Sequence, residues 1–329
     1  MYSYLFKVIY SIFFTKTKII SNKLLMSCNN ILQNIKPKNI LGKGSEGTVI
    51  LSNNKKYSVK IYNKNIDQLQ TYIKIINYLQ NSKNIPKTIY KSYLITTCKN
   101  SINRYIKNNL PNHFSYTDDN NLKILSKKYN MQNKLFEVMK KYNITLKVFI
   151  QNLKTINIEL KNNILHSLYK QGILTLLWLY INTGIVHNDI ILDNFFILKT
   201  TSKKFKINIY NDNYEVSLYG YYLIIGDFGY AESIDIIYNK QNINNIYYKF
   251  NPLHDIKKFI NIFNNKINIK YNIHKNNIYN NELDRSYNIM MKSYIKNIEN
   301  KHTLNKYKKI YKKILYIYVK NNIINNFHS

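Results

Sequence analysis

Gly184-Ile185-Val186-His187-Asn188-Asp189-Ile190-Ile191-Leu192-Asp193-Asn194 follows a long stretch of helical spacing from Glu159 to Asn182. Leu165, Leu168, Ile173, Leu176, Leu177 and Leu179 carry that spacing. The loop holds a carboxylate, Asp189, and an amide, Asn194, five residues later. A carboxylate placed to accept a hydroxyl proton, with an amide to hold a metal ion, is what phosphoryl transfer requires. Downstream, Ile224-Ile225-Gly226-Asp227-Phe228-Gly229 adds a second carboxylate directly after a strand-like run at Tyr221–Gly226. Either aspartate alone is equally well explained as a helix cap or a turn residue. Order and spacing together favour chemistry.

Upstream, Gly42-Lys43-Gly44-Ser45-Glu46-Gly47-Thr48-Val49 lies between two strand-like runs and uses three of the chain's eight glycines. Glycines so spaced let backbone N–H groups approach phosphate oxygens with no Cβ in the way, although a tight hairpin uses the same residues. No helix opens after the third glycine, which argues against a dinucleotide-binding turn. Thr48-Val49-Ile50-Leu51 and Tyr57–Tyr62, around Ser52-Asn53-Asn54-Lys55, predict an antiparallel hairpin. Lys60 sits inside that second apolar run, an awkward place for a cation unless it meets an anion. Asn65 is placed to cap a helix marked by Leu69, Ile73, Ile76 and Leu79. Further strands are predicted near Thr88–Thr97 and Lys134–Met139.

The chain has 329 residues, with 49 Lys+Arg against 17 Asp+Glu for a net charge of +32. Such a balance suggests a polyanion partner, and non-specific polyanion binding at low salt is a physical expectation. Yet Lys, Asn, Ile and Tyr dominate while Arg104 and Arg285 are the only arginines, as an A/T-rich genome would supply whatever the function. The densest cluster, Lys306 to Lys313, reads as the solvated face of a helix. Cys28 and Cys98 exclude a disulfide-dense secreted scaffold and any Cys-only zinc cluster, so a reducing compartment fits. No apolar run is long enough to span a membrane. Leu5–Phe14 is broken by Lys7 and followed by Lys16 and Lys18, without a small-residue cleavage site, so secretion is not expected.

Across about residues 40–265 these motifs, in this order, resemble the protein kinase superfamily. The resemblance implies an α+β, two-lobed fold: a small β-rich N-lobe with one main helix and a larger helical C-lobe. Residues 1–36 then form an N-terminal extension, 37–140 the N-lobe with a surface insertion at about 98–132, and 141–329 the C-lobe. Gly42, Lys43, Gly44, Gly47 and Val49 would cover ATP, and Lys60 would contact its α- and β-phosphates. Glu137-Val138-Met139 would be the hinge strand, whose backbone groups at Glu137 and Met139 bind adenine. Asp189 would be the catalytic base, Asn194 and Asp227 the holders of Mg2+, and Asp255 a buttress beneath the catalytic loop. Asn84-Ile85-Pro86 resembles the turn after the N-lobe helix. Composition, size and an insertion before Asp227 look like the serine/threonine kinases of poxviruses and related large DNA viruses. That likeness implies protein substrates phosphorylated on Ser or Thr, and a place in the host cytoplasm and virion.

Four departures stand against the family pattern. Asn188 replaces the arginine before the catalytic aspartate, so no phosphate-read activation switch is expected there. Ile191 replaces the lysine on the γ-phosphate that marks Ser/Thr kinases, leaving Ser/Thr versus Tyr open. No glutamate stands where the N-lobe helix should offer Lys60 a partner; the site falls near Tyr72, with Asp67 a possible substitute. No Ala-Pro-Glu lies between Asp227 and Asp255, and Asn251-Pro252 is the nearest remnant. A pseudokinase scaffold is therefore the alternative to an active kinase. A small-molecule phosphotransferase shares the loop around Asp189, but usually departs from the Asp-Phe-Gly form.

Overall fold

The computed structural model describes residues 35–43, 46–52, 55–65, 69–82, 84–97, 104–107, 134–142, 144–233, 251–266, 283, 285–291 and 301–324. Strands β1 (Ile35–Lys43), β2 (Gly47–Ser52) and β3 (Tyr57–Asn65) form an antiparallel meander. The hairpin expected around Ser52–Lys55 is present: the Lys55 N–H donates to the Ser52 carbonyl at 2.9 Å, with Lys55 left-handed at φ 59°. Asn65 pairs with Lys134 at the end of β3, and α1 (Gln70–Asn81) opens behind Leu69 without a side-chain cap. Whether the Asn65 side chain caps a helix, as expected, lies outside the described residues.

The next strands are β4 (Ser92–Thr97), β5 (Arg104–Lys107) and β6 (Lys134–Lys140). They complete a sheet in the order β1-β2-β3-β6-β4-β5, with β6 in its interior. Helix α1 has apolar residues at helical spacing and buries Tyr72, Ile73, Ile75, Ile76 and Leu79. β4 starts later than the predicted Thr88. Residues 88–90 instead join the later strand at Ile225, whose N–H donates to the Thr88 carbonyl at 2.7 Å while the Tyr90 N–H donates to the Ile225 carbonyl at 2.9 Å. Part of the expected surface insertion is a sheet edge, since residues 104–107 are β5. The remainder of 98–132, and Asp67, lie outside the described residues. So do residues 1–34, and β1 begins at Ile35, inside the stretch assigned to the N-terminal extension.

The second half is built on α3. Ahead of it come β7 (Ile144–Thr145) and the short α2 (Leu146–Asn152), capped by the Thr145 hydroxyl. Helix α3 (Ile158–Thr183) starts at Asn157, whose side chain accepts from the Glu159 and Leu160 N–H groups. It ends at Gly184, left-handed at φ 67°. From Leu165 onward nearly every side chain is buried, as befits a central helix. After β8 (Ile185–Val186) and β9 (Phe195–Lys199) comes an unforeseen hairpin, β10 (Lys204–Ile209) with β11 (Asp212–Ser217). Strands β12 (Tyr221–Ile225) and β13 (Glu232–Ser233) follow, then α4 (Pro252–Lys266) and α5 (Lys301–Val319). Helix α4 packs so closely on α3 that a Cβ at Gly172 would collide with the Phe259 ring.

The cluster from Lys306 to Lys313 is not wholly a solvated face. Lys306, Lys309 and Lys313 are exposed, but Lys308 is buried and the Lys312 Nζ donates to the Ile181 carbonyl at 2.8 Å. Lys308 and Lys312 are four residues apart, on the side of α5 that carries buried Tyr311 and Leu315. The architecture is α+β, with antiparallel sheets and helices in largely separate runs. Among the described residues no helix is long and apolar enough to cross a membrane.

Candidate functional site

The pairing of β9 with β12 builds the polar end of the site. Phe195 faces Ile225 in the ladder, so the residues just outside it, Asn194 and Gly226, meet, and the Gly226 N–H donates to the Asn194 carbonyl at 3.0 Å. Asp227 comes next, left-handed at φ 57°. Asn194 reaches back with its Nδ2 to the Asp189 Oδ2 at 2.7 Å and the Asp189 carbonyl at 2.9 Å. Below the loop, the buried Asp255 carboxylate accepts from the N–H groups of His187 at 2.6 Å and Asn188 at 3.0 Å. Asn188 is left-handed at φ 63°, a conformation asparagine tolerates better than most residues. Its side chain donates to the Tyr230 carbonyl at 3.3 Å.

His187 locks the same corner. Its Nδ1 lies 3.3 Å from the Asp189 N–H and its Nε2 2.9 Å from the Gly226 carbonyl, so the proton belongs on Nε2. Burial lowers its pKa and keeps the ring neutral. Buried Phe228 packs against this ring at 4.8 Å between centroids and stacks on Tyr90 at 5.6 Å.

The opposite wall comes from β1–β3. The Lys60 Nζ lies 2.9 Å from the Asp227 Oδ1 and 3.5 Å from the Glu46 Oε2. Burial alone would lower the Lys60 pKa, but the charge and hydrogen bond of Asp227, with Glu46 behind, leave it raised. Burial likewise opposes ionisation of Asp227, and Lys60 outweighs it, so that carboxyl is held below its usual value. Gly47 is required by packing, since a Cβ there would strike the Ile61 carbonyl, whereas Gly42 faces open space. A Cβ at Gly229 would meet the Glu46 carboxylate, the end of a flexible side chain that can shift aside.

These groups converge on one cavity of about 270 Å³. Gly42, Gly47, Val49, Lys60, Glu137, Met139, Asp189, Asn194 and Asp227 all line it. Lys43 is exposed and does not, and Gly44 lies outside the described residues. The cavity lies just below the roughly 300–1,000 Å³ usual for small-molecule sites, and Glu46, paired with Lys60, is part of its lining. A larger hollow of about 1100 Å³, between the end of α1 and β10, contains none of these residues. No family model matches the chain, and no curated protein matches it.

Two features escaped the sequence reading. Glu46 precedes Lys60, whereas the family pattern places the partner after it; an acid inside a glycine-rich loop of so basic a chain is the signal that marks it. Glu137 also departs from expectation. Its strand is flanked by β3 and β4 both at Met139 (Ser58↔Met139, Ser92↔Met139) and at Glu137 (Lys60↔Glu137, Ile95↔Glu137), so main-chain pairing occupies both sides of each residue expected to bind adenine. The buried side chain is what reaches the cavity. Its carboxylate accepts from the hydroxyls of Tyr62 at 2.7 Å, Tyr72 at 2.5 Å and Tyr90 at 2.7 Å. Burial, reinforced by the Glu137 charge, raises all three phenol pKa values and keeps them as donors.

Asp227 and Asn194 supply oxygen donors beside the space a phosphate would fill. Among the described residues no group of three or more His, Cys, Asp or Glu could hold a metal by itself. This donor set suits a hard cation such as Mg2+ that shares its coordination with phosphate oxygens. Ile191 sits exposed at the mouth, and Lys60 is the only cation among the described lining residues.

Proposed function

We propose that the chain is a divergent protein kinase of two-lobed fold that transfers the γ-phosphoryl group of ATP to Ser or Thr of protein substrates. The observation that carries the reading is the meeting of Lys60, Asp189, Asn194 and Asp227, drawn from distant parts of the chain, around one cavity. Val49, Met139 and Phe196 offer the apolar end to the base, and the polar end receives the phosphates. Asp189, oriented by Asn194 and by the loop that Asp255 holds, accepts the proton of the attacking hydroxyl. Lys60 holds the nucleotide phosphates. Asp227 and Asn194 would hold Mg2+, which neutralises charge developing on the phosphate oxygens. Positioning supplies most of the catalysis.

Labelled ATP, Mg2+ and generic acidic and basic protein substrates test the reading, followed by phosphoamino-acid analysis. Asp189→Asn lowers transfer by orders of magnitude with little change in nucleotide affinity. Ile191, in place of a cation near the γ-phosphate, favours a second reading, a nucleotide-binding scaffold without transfer. ATP-induced thermal stabilisation without transfer or autophosphorylation selects it.

A further inference from the structure

Lys60 and α1 are connected, but not by an ion pair. Among the described residues both ion-pair partners of Lys60, Asp227 and Glu46, lie outside α1. Where the helix should offer an acid, it buries Tyr72. We infer that Glu137, gripped by the hydroxyls of Tyr62, Tyr72 and Tyr90, is the positioning carboxylate that couples helix α1 to Lys60 and sets that lysine for the nucleotide phosphates. The inference rests on the nucleotide-binding reading of the cleft.

Three contacts make the coupling. Lys60 and Glu137 are direct partners on neighbouring strands, so their side chains share one face of the sheet. The Lys60 ammonium lies 4.8 Å from the centroid of Tyr62, the ring whose hydroxyl donates to Glu137. Tyr72 binds the same oxygen from α1, and Tyr90 binds the other while stacking on Phe228 of the Asp-Phe-Gly segment. Moving α1, or displacing Phe228, therefore disturbs the carboxylate behind Lys60.

The cage is costly as mere packing. A carboxylate with no exposed surface loses its hydration, and apolar residues of like volume often serve stability as well or better. Three hydroxyls reach its two oxygens, and those of Tyr72 and Tyr90 also lie 2.6 Å apart, so the cage is one closed hydrogen-bond network tying α1 to β3 and β6. The negative potential it places behind Lys60 replaces, at one remove, a direct helix-borne partner. Tyr72 and Glu137 act through Lys60 and touch no reacting atom.

A double-mutant cycle on the full chain tests this, reading Mg-ATP affinity by calorimetry. Tyr72→Phe keeps the ring and deletes the donor. In the otherwise native chain it weakens Mg-ATP binding by at least about threefold, while in a Lys60→Met background it changes binding by less than the error. Glu137→Gln, which fills the same space and keeps an acceptor oxygen, gives the same pattern and replaces Tyr72→Phe if that variant melts early. Equal losses in both backgrounds overturn the inference, because a purely structural cage acts whether or not Lys60 is present. Binding without phosphoryl transfer sinks the catalytic reading alone, and the cycle still decides. A native chain that binds no Mg-ATP sinks both.

Discussion

Lys60 and Lys312 are both lysines drawn out of water, and their surroundings treat them in opposite ways. Lys60 lies among Asp227, Glu46 and Glu137, and their charge raises its pKa against the pull of burial. Lys312, on α5, rests against the Ile181 carbonyl at 2.8 Å and the Tyr180 ring at 5.7 Å, and burial pushes it down to about 8. Lys308, one turn earlier, falls to about 8 by burial and by the like charge of Lys312. A chain with 17 acids against 49 bases cannot give every lysine a carboxylate. Four of those acids, Glu46, Glu137, Asp189 and Asp227, line a single cavity. Concentrated negative charge is thus the mark of the cleft, whereas at α5 the carboxylate of Asp212 takes Lys320, and burial lowers Lys308 and Lys312.

The largest effect should come from breaking the cleft's closest pair. Asp227→Ala removes the nearest anion of Lys60 and, on the proposed function, an oxygen donor for Mg2+. Mg-dependent ATP turnover falls below detection while the far-UV circular dichroism stays native. Ordinary turnover in this variant would disprove the role assigned to Asp227.

A smaller effect, of opposite sign, should follow at Glu46. Its carboxylate lines the cavity and, on the proposed function, would repel an entering triphosphate. Glu46→Gln keeps the shape, removes the charge and tightens nucleotide binding by roughly two- to fivefold, the scale of one partly screened charge pair. Gly229→Ala pushes the same side chain aside and should act in the same direction. Weaker binding in both variants would mean that Glu46 helps hold the nucleotide.

The polar core of the cleft is legible in the sequence because it is written at short range. Asp189 and Asn194 share one loop, Gly226 and Asp227 follow one strand, and Gly42 to Lys60 span one meander. Spacing alone orders such groups. The cage around Glu137 is written across the sheet. Tyr62 and Glu137 are 75 residues apart, and their meeting depends on which face of β3 and β6 each side chain takes. Against 32 tyrosines nothing singles out these three. The β10–β11 hairpin was legible but missed: Phe205, Ile207 and Ile209 alternate with exposed Lys204, Lys206 and Asn208, the period-two pattern of a half-buried strand. The inward lysines of α5 were hidden by composition, since a run so rich in lysine looks solvated although positions 308, 311, 312 and 315 share one side.

The smallest effect lies at that helix, and its sign separates the two regions. A lysine ordinarily titrates near 10.5, and Lys312 near 8 in the folded chain. Between those values the unfolded chain binds the proton that the folded chain has released, so stability from this group rises with pH across the window and is flat below it. Lys312→Met removes that rise. The melting temperature of the native chain minus that of the variant should therefore grow from pH 7.5 to 10, by an amount equivalent to about 1 kcal/mol once solvent at the exposed edge of the side chain is allowed for. Near pH 7 the two should melt alike, because the lost hydrogen bond to Ile181 offsets the relief of a partly buried charge. A difference independent of pH would mean that α5 leaves Lys312 as well hydrated as its exposed neighbours Lys309 and Lys313.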